Sequence, residues 1–173
     1  AAQKQILIKD ASALENMRKV NAIVIDKTGT LTIPNPNIDF TKADNIPFEE
    51  REQLKPNAAK AMARLKEEGI DVFMMSGDKE AAAHYWAEKT GIVHYKSEVR
   101  PDDKQKLVSQ LQQEGKIVAM VGDGINDTQA LATADVGIAI GRGTDVAMDV
   151  AQVTLMGNDL MALPEAVNMS RRT

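Results

Sequence analysis

Three short apolar runs, each ending in a small polar loop that holds an aspartate, constrain this 173-residue chain more than any other feature. Ala22-Ile23-Val24-Ile25 ends at Asp26, residues 71–75 end at Ser76-Gly77-Asp78, and residues 117–121 end at Gly122-Asp123-Gly124. A continuous apolar run of this length reads as a strand buried on both faces of a parallel sheet. Residues 136–140 and 152–156 read as further strands. Helical patterns lie between them. Residues 57–68 place Ala58, Ala61, Met62 and Leu65 on one stripe before Gly69. Residues 79–90 stop at Gly91, and 102–114 carry Leu107, Val108 and Leu111 before Gly115. Strands alternating with helices imply an α/β fold with a doubly wound, mostly parallel sheet. Residues 33–55 break the rhythm: Pro34, Pro36 and Pro47, acidic residues and weak periodicity predict a connector with one short helix near 48–54.

Composition removes several function classes. Apolar residues make up 43% and charged residues 27%, the mix of a soluble globular domain. A net charge of -4 supplies no broad basic field, so nucleic acid is not expected as a partner. The chain has no cysteine, which excludes disulfides, thiolate metal sites and a cysteine nucleophile. His84 and His94 are too few for a zinc cluster. No apolar run approaches the ~18 residues that span a bilayer, and no signal-peptide pattern opens the sequence.

In an open α/β sheet ligands bind beyond the carboxyl ends of the strands, so Asp26, Ser76 and Asp123 are expected to share one crevice. Asp26-Lys27-Thr28-Gly29-Thr30-Leu31-Thr32 sets a carboxylate at a strand end, before a turn whose N–H groups can cradle phosphate oxygens. The alternative is a plain Asp-Lys turn. Ser76 and Gly77 suit a phosphate oxygen, yet Ser-Gly-Asp is also an ordinary turn. Lys104, on the first turn of a helix begun by Pro101-Asp102-Asp103, can neutralise a phosphoryl group or can be a solvated charge. Asp123 and Asp127, four residues apart on a glycine-flexed loop, form a hard-oxygen pair suited to Mg²⁺, and Asn126 can bond a phosphate oxygen. There the alternative is a helix cap. Each signal alone is weak or moderate. Their joint occurrence at successive element ends supplies the parts that phosphoryl transfer requires.

At this point the sequence resembles a known family. Asp26 to Thr32 is similar to the phosphorylation signature of P-type cation-transporting ATPases, and Gly122 to Asp127 to their hinge signature. Ser76-Gly77-Asp78 matches a motif that usually begins with threonine, and serine keeps the hydroxyl. Gly124-Ile125-Asn126-Asp127, Ala130-Leu131-Ala132 and residues 134–140, with Ile6-Leu7-Ile8-Lys9-Asp10 ahead of the signature, resemble the heavy-metal branch, in which copper pumps are commonest.

The resemblance implies a haloacid-dehalogenase-like fold in which residues 1–173 are a phosphorylation domain and 33–55 stand in place of the nucleotide-binding domain. It implies that Asp26 takes a phosphoryl group from ATP. Mg²⁺ would be held by Asp26, the Thr28 carbonyl and Asp123, with Asp127 in support. Ser76, Gly77, Thr30, Lys104 and Asn126 would bind phosphoryl oxygens, and Lys27 would position the nucleophile or meet nucleotide phosphates. The implied partners are the nucleotide-binding, actuator and membrane domains of the same pump, at the cytosolic face of a membrane. The transported ion is not bound by these residues. Both chain ends resemble points beside membrane helices, which suggests excision. Two rival readings stand: a free-standing small-molecule phosphatase, which would want a carboxylate where Thr28 stands, and a non-catalytic Mg²⁺-dependent interaction module.

Overall fold

β2 (Ala22–Asp26) is the axis of the sheet, with all five residues buried. It pairs in parallel with β5 (Asp71–Met75) on one side and β7 (Val118–Gly122) on the other. The computed structural model describes residues 6–9, 11–35, 37, 46–122, 127–140, 150–157 and 159–172. Beyond β5 lies β6 (His94–Lys96); beyond β7 lie β8 (Val136–Ile140), β9 (Val153–Leu155) and β1 (Ile6–Ile8). The seven-stranded order is β1-β9-β8-β7-β2-β5-β6, parallel throughout except for β1 against β9.

Alternate residues of β2 feed two cores, because strand side chains point to opposite faces. Ile23 and Ile25 pack with α1 (Ala11–Lys19), α3 (Ala58–Glu67), α4 (Glu80–Thr90) and α7 (Ala162–Arg172). Ala22 and Val24 pack with α5 (Pro101–Gln113) and α6 (Thr128–Thr133). The α3 stripe buries Ala58, Ala61, Met62 and Leu65, the face expected from the sequence. Each fully buried Ile or Leu side chain stabilises such a sheet by roughly 2 kcal/mol. The sheet is therefore doubly wound and mostly parallel. The chain builds outward through β5 and β6, then crosses back by α5 to build through β7 and β8, so the direction reverses beside β2. Ligands bind outside the carboxyl ends of strands at such a reversal.

The connector differs from its expected form. A helix near 48–54 was expected, but α2 (Phe48–Arg51) stops at Arg51. Glu52–Leu54 instead form β4, antiparallel to β3 (Thr32–Pro34). Glu52 adopts φ -149 and is only 7% exposed. Its buried polar bonds, described below, outweigh the local helical preference of Phe-Glu-Glu-Arg-Glu.

One arginine fastens the end of α7. The Arg171 guanidinium donates to the carbonyls of Glu68 (3.0 Å), Val20 (3.1 Å) and Arg18 (3.4 Å), and pairs with the Glu68 carboxylate at 3.1 Å. Just ahead of α7, Asp159 Oδ1 accepts from the Asn57 amide at 3.1 Å. Among the described residues no helix is long and apolar enough to cross a membrane.

Candidate active site

Asp26 is the last residue of β2, in register with Met75 at the end of β5. Its carboxylate lies where the sheet edge meets the following turn and is 12% exposed. That turn closes on itself because the Lys27 carbonyl accepts N–H bonds from Leu31 (2.9 Å) and Thr32 (3.1 Å), while Gly29 N–H donates to the Thr32 carbonyl at 3.0 Å. Gly29 has φ 82, a left-handed conformation that side-chain-bearing residues rarely adopt. Thr28 is exposed, and Thr30 is buried with its hydroxyl lacking any partner.

Lys104 reaches the same place from α5. Pro101 starts that helix with φ already set, and the Asp103 carboxylate accepts the Arg100 N–H at 2.9 Å. Lys104 therefore sits one turn in, with its ammonium 2.7 Å from Asp127 Oδ1 and 3.4 Å from Asp26 Oδ2. Burial lowers the Lys104 pKa, but the charge of Asp26 and the bond and charge of Asp127 outweigh it, and the net direction is up. The ammonium is thus held charged beside the nucleophile candidate.

Asp127 stands at the N-cap position of α6, yet its carboxylate makes no cap bond. Oδ1 takes Lys104, while Oδ2 is buried without a partner. Gly122 makes room for it: a Cβ there would collide with Asp127 Oδ2 and lie 3.1 Å from its Cγ. An unpartnered carboxylate oxygen beside a second carboxylate suits a hard cation with oxygen ligands, so these donors fit Mg²⁺. Among the described residues no three His, Cys, Asp or Glu side chains converge. Asp123 and Asn126, the other expected members, lie outside the described residues.

Ser76 follows β5 and is 1% exposed. Its hydroxyl accepts the Asp78 N–H at 3.0 Å, which leaves its own proton to donate. Gly77 is exposed beside it.

The placement of Lys27 corrects one expectation. Its side chain is 0% exposed and its ammonium is bonded by Glu52 and Asp78, so it does not reach out to nucleotide phosphates. Glu52 Oε1 also accepts the Thr32 hydroxyl at 2.6 Å. Sequence reasoning missed Glu52 as a member of the site and gave Asp78, although it stands in the Ser76 motif, no role of its own. The one available signal was a lysine beside a buried strand, which requires a counter-charge.

Comparison with known proteins identifies the family and the fold. A profile of haloacid dehalogenase-like hydrolases matches residues 38–135. The copper-exporting P-type ATPase of Bacillus subtilis is 51% identical over 120 residues, which are 69% of this chain and 15% of that protein. The chain thus spans about a sixth of the length of such curated relatives. The crystal structure of a zinc-transporting PIB-type ATPase in its E2.Pi state superposes with TM-score 0.80 at 25% identity, covering 96% of this chain and 43% of the other. The 3-deoxy-D-manno-octulosonate 8-phosphate phosphatase of Moraxella catarrhalis, solved with magnesium and phosphate ions, shares the fold with TM-score 0.70 at 19% identity, covering 92% of each chain.

Proposed function

Given that this chain belongs to the haloacid dehalogenase-like hydrolase family, we propose that it is the phosphorylation domain of an ATP-driven, copper-transporting P-type pump, with Asp26 as the acceptor. The observation that carries this is the Asp26 carboxylate at the end of the central strand with the Lys104 ammonium 3.4 Å away, in a sequence half identical to a copper pump over 120 residues.

Asp26 attacks the γ-phosphorus of ATP in line, and the bond to the departing ADP breaks as the new P–O bond forms. Lys104 neutralises charge that builds on the equatorial oxygens. Ser76 and Thr30 hydroxyls, the Gly77 N–H and the Asn126 amide bind those oxygens; the unpartnered Thr30 hydroxyl supports this assignment. Mg²⁺, when bound by Asp26, the Thr28 carbonyl and Asp123 with support from Asp127, supplies charge neutralisation between donor and acceptor. Nucleotide-binding, actuator and membrane domains of the same pump are its proposed partners, and the transported ion passes elsewhere. Residues 33–55 stand where the nucleotide-binding domain would be. The free-standing phosphatase reading is not favoured, since the exposed Thr28 offers no carboxylate to activate water.

Acetyl phosphate with Mg²⁺ should add one phosphoryl group to the intact protein, and Asp26→Asn should abolish the mass gain. Free phosphate release without a stable adduct would instead establish a phosphatase. No reaction of any kind would favour a non-catalytic module.

A further inference from the structure

We propose that Glu52 is a positioning residue for phosphoryl transfer: acting through the buried Lys27 ammonium, it ties the nucleophile turn to the end of the connector, while Asp78 ties the same ammonium to the Ser76 loop. The inference rests on the reading of Asp26 as the phosphoryl acceptor. Three chain segments meet on one cation. Lys27, directly after Asp26, is completely buried, and both Glu52 and Asp78 bond its ammonium. Glu52 holds the turn at a second point, because its Oε1 accepts the Thr32 hydroxyl at 2.6 Å. The turn is also stitched to the end of the connector, since Lys55 N–H donates to the Leu31 carbonyl at 2.9 Å. Asp78 carries the connection onward, as its N–H binds the Ser76 hydroxyl at 3.0 Å.

The two carboxylates are not equivalent. The Glu52 side chain is 8% exposed and the Asp78 side chain 41% exposed. A buried ammonium cannot fall back on water, so Glu52 is its standing counter-charge. Asp78 has solvent to turn to and is the partner that can release. Glu52 sits on β4, at the end of the connector. Whatever displaces that connector moves β4, and through Glu52 it moves the residue next to the nucleophile. A reacting carboxylate misplaced by about 1 Å loses on the order of 100-fold in rate. Glu52 touches no reacting atom, so its effect falls on the rate of transfer and not on donor affinity.

The test is a double-mutant cycle on single-turnover phosphorylation by acetyl phosphate with Mg²⁺, read by intact mass. Glu52→Gln keeps the shape and removes the charge. Its maximum rate should fall at least about tenfold while the half-saturating acetyl phosphate concentration stays within about twofold of wild type. In a Lys27→Met background, Glu52→Gln should cause no further loss beyond about twofold, since the two act as one unit. If Glu52→Gln melts below the assay temperature, Glu52→Asp, charged but one methylene shorter, is read by the same two quantities. A wild-type maximum rate in the folded variant overturns the proposal. So do losses that multiply in the double variant, or a fall confined to donor affinity. Wild-type protein that takes up no phosphoryl group overturns the functional reading itself.

Discussion

Lys104 is where charge, burial and proposed chemistry coincide. Its ammonium holds two carboxylates, one of them fully buried in its side chain. Lys104→Met should therefore cost about 3 kcal/mol, the usual loss when a buried ion pair is left with one member. Its pH dependence has a definite sign. The folded-state pKa lies above the ordinary 10.5, so the stabilisation is fully present below 10.5 and is lost as pH rises through the higher folded value. The gap in thermal midpoint between wild type and Lys104→Met should be flat up to about that pH and close above it. A gap that widens with alkali would contradict the ion-pair assignment. Gly122 tests the same cluster from the other side. An added methyl would collide with Asp127 Oδ2, so Gly122→Ala should cost about 1–3 kcal/mol by urea denaturation. It should also slow phosphorylation by displacing the partner of Lys104.

At the scale of elements, β2, β5 and β8 were legible because each carries four or five consecutive apolar residues, and β5 and β8 match their expected bounds. β1, β3, β4 and β6 have three residues each, too few for any periodicity to show, and β9, of the same length, fills only the middle of the expected 152–156. β6 reads His-Tyr-Lys with two exposed residues, and only its pairing with β5 makes it a strand. The candidate site was half legible for a related reason. Asp26, Ser76 and Lys104 announce themselves by standing at element ends. Glu52 lies 25 residues from Lys27 and Asp78 lies 51 away, so their common target appears only after folding. The Arg171 clamp was invisible in the same way, since it binds backbone carbonyls that have no sequence signature. Arg171→Lys keeps the charge but loses the planar fork that spans α1 and α3. It should lower stability by about 2 kcal/mol in chemical denaturation, within the usual range for hydrogen bonds to a charged group. An unchanged midpoint would mean that the clamp is solvated.

At the scale of the whole molecule, the grooves seen among the described residues lie away from the candidate site. Among the described residues, three grooves of about 70, 410 and 560 Å³ are lined by residues of α3 and β5, of β6 and α5, and of α7, and none of these three includes Asp26, Ser76 or Lys104. Adenine recognition needs an apolar pocket with a few polar groups, at the reacting end of the molecule. ATP should therefore bind this chain with Kd in about the millimolar range, roughly -4 kcal/mol, with no preference over tripolyphosphate. Acetyl phosphate should modify Asp26 faster than ATP at equal concentration. Isothermal titration and intact mass measure the two expectations, and micromolar adenine-selective binding would refute the first.

α7 has a mechanical consequence at this scale. It is pinned at its last turn by Arg171 and tethered through Asp159, just ahead of its start, to Asn57, the second residue after Lys55 at the connector's end. Eleven helical residues make a rod of ~16 Å that bends little. Both ends are held, since Ala162, Leu163 and Pro164 are buried at its start and Arg171 is clamped at its last turn. A strut fixed at both ends resists displacement of Asn57, so it braces the end of the connector against the ends of α1 and α3.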